Sequence, residues 1–274
     1  MKRSHVLIVV AAMAGGTLVS TANWRAFRKN PTMQEDHMSG GQASESIERN
    51  RQFFSRDIYG DYANRLDSHK SIRATLTGIL AGTKRLLDVG NGGVFEYDPA
   101  VASEVVAVDL FLDEADSVRY PANVTIRRGD ALALREEPGS FDAVLEAFLY
   151  HHLTGRRARD SVANVRRAIS EATRMLAPGG RLVVAESCIP AALYPLERLM
   201  YAPLRLLERT PLLGGHPATL QLPFGVLRSL VAEQLEIERA EEIPLGRWVT
   251  QFGRRFPTVL TPVRAHLIVA GKRA

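Results

Sequence analysis

The fold of this protein is decided by one stretch, Arg85-Leu86-Leu87-Asp88-Val89-Gly90-Asn91-Gly92-Gly93-Val94, in which an apolar strand leads through an acidic residue into a glycine-rich turn. A second apolar run, residues 105–108, ends in Asp109. Glycines let the backbone approach a ligand closely, and an acid at the end of the next strand can accept hydrogen bonds from both hydroxyls of a ribose. The pattern predicts a site for a cofactor that carries a nucleoside.

The residues in and before this turn discriminate between nucleoside cofactors. A dinucleotide fold would show Gly-x-Gly-x-x-Gly, but the sixth place here is Phe95. Asp88 lies two residues before Gly90, the first residue of the turn, where a carboxylate would repel phosphates and would suit an ammonium or sulfonium charge. The sequence therefore favours S-adenosyl-L-methionine over NAD.

Apolar runs alternate with helical patterns over the rest of the chain. A helix over Ala158–Leu176 is predicted, with Pro178-Gly179-Gly180 as its stop before the next strand. The alternation predicts an α/β fold, a mostly parallel sheet with helices on both faces. Seven apolar runs, most of them rich in β-branched residues as doubly buried strands are, serve as strand candidates: Arg85–Val89, Val105–Asp109, Val124–Arg128, Phe141–Glu146, Arg181–Glu186, Leu235–Glu241 and His266–Gly271.

Five landmarks in the same order resemble the class I S-adenosylmethionine-dependent methyltransferases, over about residues 47–274. The resemblance implies a seven-stranded, mostly parallel sheet whose last strand is antiparallel, which His266–Gly271 suits, and it implies methyl transfer as the activity. The landmarks are Leu87–Gly92, Val108-Asp109, Arg128–Leu132, Phe141–Val144 followed by Tyr150–Leu153, and Leu176–Leu182.

The resemblance also implies which residues hold the cofactor. Asp109 would bind the ribose, Asp130 would accept from the adenine amino group, and Leu110 and Ala131 would flank the adenine ring. Asp88 would act on the cofactor directly or through water, with a structural cap of the turn as the alternative. The whole predicted cofactor set is Asp88, Gly90, Asn91, Gly92, Asp109, Leu110, Asp130, Ala131 and Glu146.

The glycine turn, residues 90–93, departs from the family pattern at one place. The family usually shows Gly-x-Gly-x-Gly with a small polar residue at the fourth position, whereas Gly93 fills the fourth place here and Val94 the fifth. We expect the backbone beside the methionine moiety to have a different shape. This departure keeps open a second hypothesis, a non-catalytic protein that binds S-adenosylmethionine or serves as a scaffold.

Candidate catalytic residues follow the fourth strand, where the transferable methyl group would lie. A neutral imidazole of His151 or His152 can take a proton from a hydroxyl or amine, and Glu146 and Tyr150 are alternatives on the same segment. The two histidines could instead cap a helix. A sulfonium is already a good leaving group, so placing the nucleophile in line supplies much of the acceleration even without a base.

An unusually long connection, residues 188–232, separates the fifth and sixth strands. It carries apolar bulk interrupted by Arg198, Arg205 and Arg209. Long connections in α/β enzymes tend to carry substrate contacts. We therefore predict an extra helical segment that covers a small, apolar acceptor such as a lipid, quinone or polyketide-like phenol. A packed pair of accessory helices and a patch that touches a membrane surface are the alternatives.

The chain begins with an apolar segment, residues 1–32, followed by a polar linker, residues 33–46. Residues 6–22 are near the lower limit for a membrane span, so a membrane anchor with the enzyme on the cytoplasmic side is the preferred interpretation. A secretory signal, a signal anchor, an ordinary strand at residues 6–10 and a start codon placed too early, with Met33 or Met38 as the true start, stay open.

Composition narrows the partners. The single cysteine, Cys188, excludes an internal disulfide framework and a multi-cysteine metal site, and no metal is predicted. A net charge of +5 is mild for 274 residues, and no appended nucleic-acid module is visible. We therefore expect a small-molecule partner and no nucleic acid, and rank an RNA or protein methyltransferase lower. The oligomeric state has no signal in the sequence.

Overall fold

The computed structural model describes residues 67–112, 114–207, 218–251 and 254–272. Helices and strands within these ranges are numbered in chain order. The helices are α1 (Asp67–Leu80), α2 (Ala158–Met175), α3 (Tyr194–Leu207) and α4 (Phe224–Ala232). The strands are β1 (Thr83–Val89), β2 (Ala102–Asp109), β3 (Val124–Arg128), β4 (Phe141–Ala147), β5 (Leu176–Cys188), β6 (Leu235–Glu242), β7 (Trp248–Gln251), β8 (Arg254–Pro257) and β9 (Arg264–Lys272).

The central sheet has seven strands in the order β3-β2-β1-β4-β5-β9-β6. The strands from β3 to β5 pair in parallel, and β9 runs antiparallel to both β5 and β6. This confirms the predicted sheet with its antiparallel last strand. The hairpin of β7 and β8 was not predicted, and its two short strands pair with each other outside the main sheet.

The strand order indicates which edge of the sheet is the candidate ligand site. The chain moves from β1 to β2 on one side and returns to β4 on the other side of β1, so the order reverses between β1 and β4. Ligands of open α/β sheets bind outside the carboxyl ends of the strands at such a reversal. Val89 pairs with both Val108 and Glu146, which brings the ends of β2, β1 and β4 side by side.

Apolar side chains cover both faces of the sheet, as predicted. On one face α2, α3 and α4 bury residues that include Ile169, Tyr201 and Leu227. On the other face α1 buries Ile72 and Leu76, which are four residues apart and so lie on one side of the helix. Side chains alternate along each strand, so neighbouring residues of β1 and β4 belong to different cores.

The predicted stop between the helix and the fifth strand differs from expectation. Pro178-Gly179-Gly180 was predicted as a loop before the fifth strand, but it lies within β5, which already begins at Leu176. Leu176 pairs with Phe141, and the register then shifts before the pair of Ala143 and Arg181, so the proline and glycines occupy an irregularity in the pairing. The predicted helical segment between β5 and β6 is present as α3 and α4.

The predictions for the start of the chain lie outside the described residues. These are the apolar segment 1–32 with its candidate anchor at 6–22 and the linker 33–46. Within the described ranges, no helix is both long and apolar enough to cross a membrane. Association with a membrane through residues 6–22 therefore stays a prediction.

Candidate functional site

The glycine turn joins the ends of β1 and β2 through its backbone. Gly90, Gly92 and Gly93 have φ angles of 76°, 59° and 83°, a left-handed conformation that side chains disfavour. The Gly90 amide donates to the Val108 carbonyl at 2.8 Å, and the Gly92 amide donates to Asp109 Oδ2 at 3.0 Å. The turn is thus closed against the second strand by its own amides.

Asp88 lies beneath this turn and is almost fully buried, at 1% exposure. Its Oδ2 accepts from Asn91 Nδ2 at 2.8 Å and from the Tyr97 hydroxyl at 3.0 Å. Its Oδ1 is buried and has no hydrogen-bond partner among the described residues. Burial raises the pKa of Asp88 to about 7, although both donors oppose the shift. An acceptor oxygen left over in a buried position fits a ligand that brings a donor or a positive charge.

Asn91 and Tyr97 explain how Asp88 is held, and only Asn91 was predicted. The Asn91 side chain spans the turn, because its Oδ1 accepts from the Gly93 amide at 2.8 Å while its Nδ2 reaches Asp88. Tyr97 is fully buried, and its hydroxyl donates to the same carboxylate oxygen as Asn91 does. A lone tyrosine after an irregular segment carries no sequence signal for this contact.

Asp109 ends β2 at 7% exposure and is held by two backbone amides. Its Oδ2 accepts from Gly92 and its Oδ1 accepts from Phe111 at 2.8 Å. A carboxylate offers about four acceptor positions, so roughly two remain for the hydroxyls of a ribose. Burial raises the pKa of Asp109, and the two amides oppose this shift.

The predicted adenine side of the site follows β3. Asp130 Oδ1 accepts from the Leu132 amide at 2.9 Å, which makes a tight local turn. A side chain at Gly129 would lie 2.6 Å from Val108 Cγ1, so glycine lets this turn pack against the end of β2. The Gly129 amide donates to the Asp109 carbonyl at 3.0 Å, so Asp130 directly follows a residue that contacts the end of β2, and Leu110 and Ala131 are half-buried.

Gly93, the residue that departs from the family pattern, has a contact that requires glycine. A Cβ atom there would lie 2.7 Å from the Tyr120 hydroxyl and 3.2 Å from Leu112 Cδ2. The Tyr120 hydroxyl donates to the Gly93 carbonyl at 3.1 Å. A glycine in the fourth place thus allows Tyr120 to pack directly on the turn.

A second set of polar residues lies at the ends of β4 and β5. Glu146 and the Asp88 carboxyl lie on opposite faces of the sheet. Each acid shares its face with the residue two positions before it, and these residues, Val144 and Leu86, belong to different cores. Glu146 Oε2 accepts from the Tyr150 hydroxyl at 2.5 Å. Glu146 Oε1 is buried without a hydrogen-bond partner in the described ranges, and burial raises the pKa of Glu146 to about 7.

Tyr150 is held as a hydrogen-bond donor. Burial and the nearby Glu146 carboxylate raise the pKa of its hydroxyl well above the ordinary tyrosine value. The Tyr150 side chain is 3% exposed, and its hydroxyl is committed to Glu146. This arrangement suits a group that positions Glu146 better than a group that removes a proton from a substrate.

His151 is held by Glu186, a residue that the sequence analysis missed. Glu186 Oε1 lies 2.7 Å from His151 Nδ1, and Glu186 Oε2 accepts from the Tyr150 amide at 2.7 Å. A carboxylate only accepts, so Nδ1 of a neutral His151 carries the hydrogen and Nε2 is left as the acceptor. The ring of His152 contacts that of His151, with centroids 4.1 Å apart.

The signal for Glu186 was present in the sequence but not used. Glu186 is the last acid of the predicted fifth strand, as Asp88 and Glu146 are near the ends of the first and fourth. Parallel strands end at the same edge of the sheet, so an acid in that position was a candidate on the same grounds.

A strained bend after β4 brings the polar residues at the ends of β4 and β5 close to the glycine turn. Phe148 has a φ of 54°, the only positive value for a non-glycine residue in the described part of the chain. Its amide donates to the Ala185 carbonyl at 2.7 Å, which holds the bend. The next residue, Leu149, packs so closely on the turn that a Cβ at Gly90 would lie 2.5 Å from its Cδ1. Such strain is typical of functional sites.

The sheet order, the acid-flanked glycine turn and the second acid at the end of β2 define a class I, S-adenosylmethionine-dependent methyltransferase fold. Residues 87–184 match the family described as Methyltransferase domain. The chain therefore contains a methyltransferase domain, and its fold is that of the class I enzymes.

Particular relatives cover only part of the chain. It is 33% identical over 123 residues to a demethylmenaquinone methyltransferase of Thermus thermophilus, which is 42% of this chain and 52% of the relative. It is 33% identical over 118 residues to the enzyme of the same name from Deinococcus radiodurans, covering 40% of this chain and 45% of that one. The match thus spans about half the length of these relatives.

A solved structure supports the fold over a longer part. The N-methyltransferase NodS of Bradyrhizobium japonicum, in complex with S-adenosyl-L-homocysteine, superposes with a TM-score of 0.53. The alignment covers 82% of this chain and all of the NodS chain, at 15% identity. At this identity the likeness speaks for the fold alone.

Proposed function

We propose that this protein transfers the methyl group of S-adenosyl-L-methionine to a small apolar acceptor and that His151 takes the proton from the acceptor. The observation that carries the proposal is the 2.7 Å contact between His151 Nδ1 and Glu186 Oε1. It fixes an imidazole, whose Nε2 has no hydrogen-bond partner among the described residues, two residues beyond Leu149, which packs on the glycine turn.

The cofactor is held by the residues around the glycine turn. Asp109 accepts from the ribose hydroxyls, Asp130 accepts from the adenine amino group, and Leu110 and Ala131 pack against the ring. Asp88 Oδ1, which has no partner in the described ranges, supports a contact with the positively charged methionine end, directly or through a water molecule. When bound, the cofactor supplies a methyl group on a sulfonium, which is already a good leaving group.

The residues after β4 remove a proton from the acceptor. His151 Nε2 accepts the proton of a hydroxyl as that group becomes the nucleophile. Glu186 holds the imidazole in one tautomer and stabilises the imidazolium that forms. Glu146, whose Oε1 lacks a partner in the described structure, is the second candidate for contact with the acceptor or cofactor.

The apolar character of the acceptor rests on the connection between β5 and β6. Its extended part, residues 218–222, is buried, and the Leu220 amide donates to the His151 carbonyl at 3.1 Å. Residues 218–222 of the segment that we interpret as a lid, residues 188–232, therefore lie directly against the candidate base. The relatives named demethylmenaquinone methyltransferase favour a small apolar acceptor such as a quinone-type ring.

Two measurements test this function. Isothermal titration with S-adenosyl-L-homocysteine should show micromolar binding, and transfer of a labelled methyl group should be found with apolar phenols or quinols. No binding at millimolar ligand would overturn the proposal. Binding without transfer to any acceptor would favour the scaffold hypothesis, and steep salt-dependent binding of RNA would favour an RNA substrate.

A further inference from the structure

A cavity of about 290 Å³ lies between the end of β5, the start of α4 and the start of β9. We name it the β5–β9 cavity. Its walls include Cys188, Ile189, Pro190, Phe224 and His266. The ring of Phe224 stacks on the His266 imidazole, with centroids 4.3 Å apart and an angle of 22°.

The cavity is linked to the proposed base through one pair of residues. His266 is the cross-strand partner of Glu186, the carboxylate that holds His151. Directly opposite residues of an antiparallel pair have Cβ atoms about 5 Å apart and project to the same face. The cavity wall and the base are thus joined by Glu186 on one face of the sheet.

The chemistry of the walls favours hydrocarbon. The guanidinium of Arg264, which also lines the cavity, donates to the carbonyls of Thr261 and Val263, and its Nε lies 3.6 Å from Glu242 Oε1. This cation is therefore already compensated. His266 Nδ1 lies 3.2 Å from the Arg264 carbonyl, and burial lowers the pKa of His266, so the imidazole is neutral at physiological pH. Neither Arg264 nor His266 therefore presents an uncompensated charge to a ligand in the β5–β9 cavity.

We propose that the β5–β9 cavity binds a hydrocarbon substituent of the methyl acceptor while the acceptor's hydroxyl group lies at His151. The inference rests on the proposed function and adds the substrate class, an alkyl-substituted hydroxylated compound. Burial of apolar surface then supplies affinity at a distance from the reacting atoms.

Two glycines in helices offer a matched test. Gly225 lines the cavity near the start of α4, and Gly78 lies in α1 on the other face of the sheet. An added Cβ meets nothing within 4 Å at either position, and neither glycine has a positive φ. Gly225→Leu therefore adds bulk at the wall of the cavity without a clash at Cβ, and Gly78→Leu adds the same bulk elsewhere. Ala191→Leu, on another wall, is a second filling variant.

The experiment measures binding of para-ethylphenol, para-butylphenol and para-hexylphenol to the full chain saturated with S-adenosyl-L-homocysteine. In the unmodified protein and in Gly78→Leu, affinity should rise roughly threefold to fourfold for each added methylene. In Gly225→Leu or Ala191→Leu this dependence on chain length should disappear, while affinity for the cofactor product stays the same.

Two results would overturn the inference. One is an affinity that does not depend on chain length in the unmodified protein, and the other is an equal dependence in the filled variants and in Gly78→Leu. Neither result touches the proposed function, which is judged by cofactor binding and by methyl transfer. Loss of cofactor binding in one filling variant marks misfolding, in which case the other variant decides.

Discussion

The two halves of the candidate site are built in different ways. The cofactor half, from Asp88 through the glycine turn to Asp109 and Asp130, uses left-handed glycines and backbone amides that hold carboxylates. The acceptor half, around Glu146, Tyr150 and the pair of His151 and Glu186, uses contacts between side chains from β4, β5 and the bend between β4 and α2. Enzymes that use the same cofactor need the same backbone shape around it. The half of the site that contacts the acceptor can differ between such enzymes through its side chains.

Both halves nevertheless contain a buried carboxyl with an oxygen that has no partner in the described structure. Asp88 Oδ1 lies in the cofactor half and Glu146 Oε1 in the acceptor half, on opposite faces of the sheet. Burial raises the pKa of each to about 7. The two carboxyls lie near the carboxyl ends of β1 and β4, one on each face of the sheet. This placement fits a cofactor and an acceptor that meet at that edge of the sheet.

The largest expected effect falls on the acceptor half. His151→Asn should lower kcat by about 100-fold to 10,000-fold, because a positioned general base contributes that much. Affinity for S-adenosyl-L-homocysteine should not change, as isothermal titration would show. Glu186→Gln should lower kcat by a smaller factor and alter the pH–rate profile, because it acts through the imidazole.

A matched pair of residues serves as the control for this variant. His69 Nδ1 lies 3.0 Å from Glu96 Oε1, a second histidine–glutamate pair, which involves α1. His69→Asn should change kcat by less than about threefold. If His151→Asn leaves kcat at the level of this control, His151 is structural and the proton leaves by another route.

The next largest effect tests the cofactor half. Asp109→Asn should weaken binding of S-adenosyl-L-homocysteine by roughly 30-fold to 100-fold, because hydrogen bonds to a charged acceptor are stronger than those to an amide. Asp142→Asn, at the opposite end of β4 and exposed, is the control and should leave binding unchanged. Equal affinities of the two variants in isothermal titration would show that the ribose is held elsewhere.

A third prediction concerns how the free energy of unfolding depends on pH because of one buried carboxyl group in α3. Burial raises the pKa of Glu197, in α3, from 4.5 to about 7, while the Gln221 amide that donates to it opposes the shift. Between those values the folded protein holds more protons than the unfolded chain, so this group makes stability fall as pH rises across that window.

Glu197→Gln removes the ionisation and keeps an acceptor for the Gln221 amide. It should raise the free energy of unfolding by roughly 2 to 3 kcal/mol at pH 8 and by less than about 1 kcal/mol at pH 5. Urea unfolding at the two pH values measures this, with exposed Glu236→Gln as the control. A gain that is the same at both pH values would mean that Glu197 does not titrate in this window.

The smallest expected effect separates strain from contact in the glycine turn. Gly93 and Gly82 have similar φ angles, 83° and 79°, but only a side chain at Gly93 would meet Tyr120. Gly93→Ala should therefore destabilise the protein by about 1 kcal/mol more than Gly82→Ala and weaken cofactor-product binding several-fold. Equal unfolding free energies for the two variants would show that Tyr120 moves away at no cost.

Much of the sheet could be predicted because strand signals are local. β3 has the predicted limits, Val124–Arg128, and β6 is longer by one residue. β5 is longer than predicted because Leu176 gains a partner in Phe141, a contact that no local pattern carries. The hairpin of β7 and β8 escaped prediction because each strand has only four residues.

The sequence by itself determined the sheet and the positions of the glycine turn, Asp88 and Asp109, because these residues are tied to strand ends whose spacing is visible along the chain. Only the tertiary structure decided the acceptor half. Glu186 meets His151 across 35 residues, and His266 lies opposite Glu186 on an antiparallel strand near the end of the chain. Such contacts depend on strand order and register, which long-range packing sets.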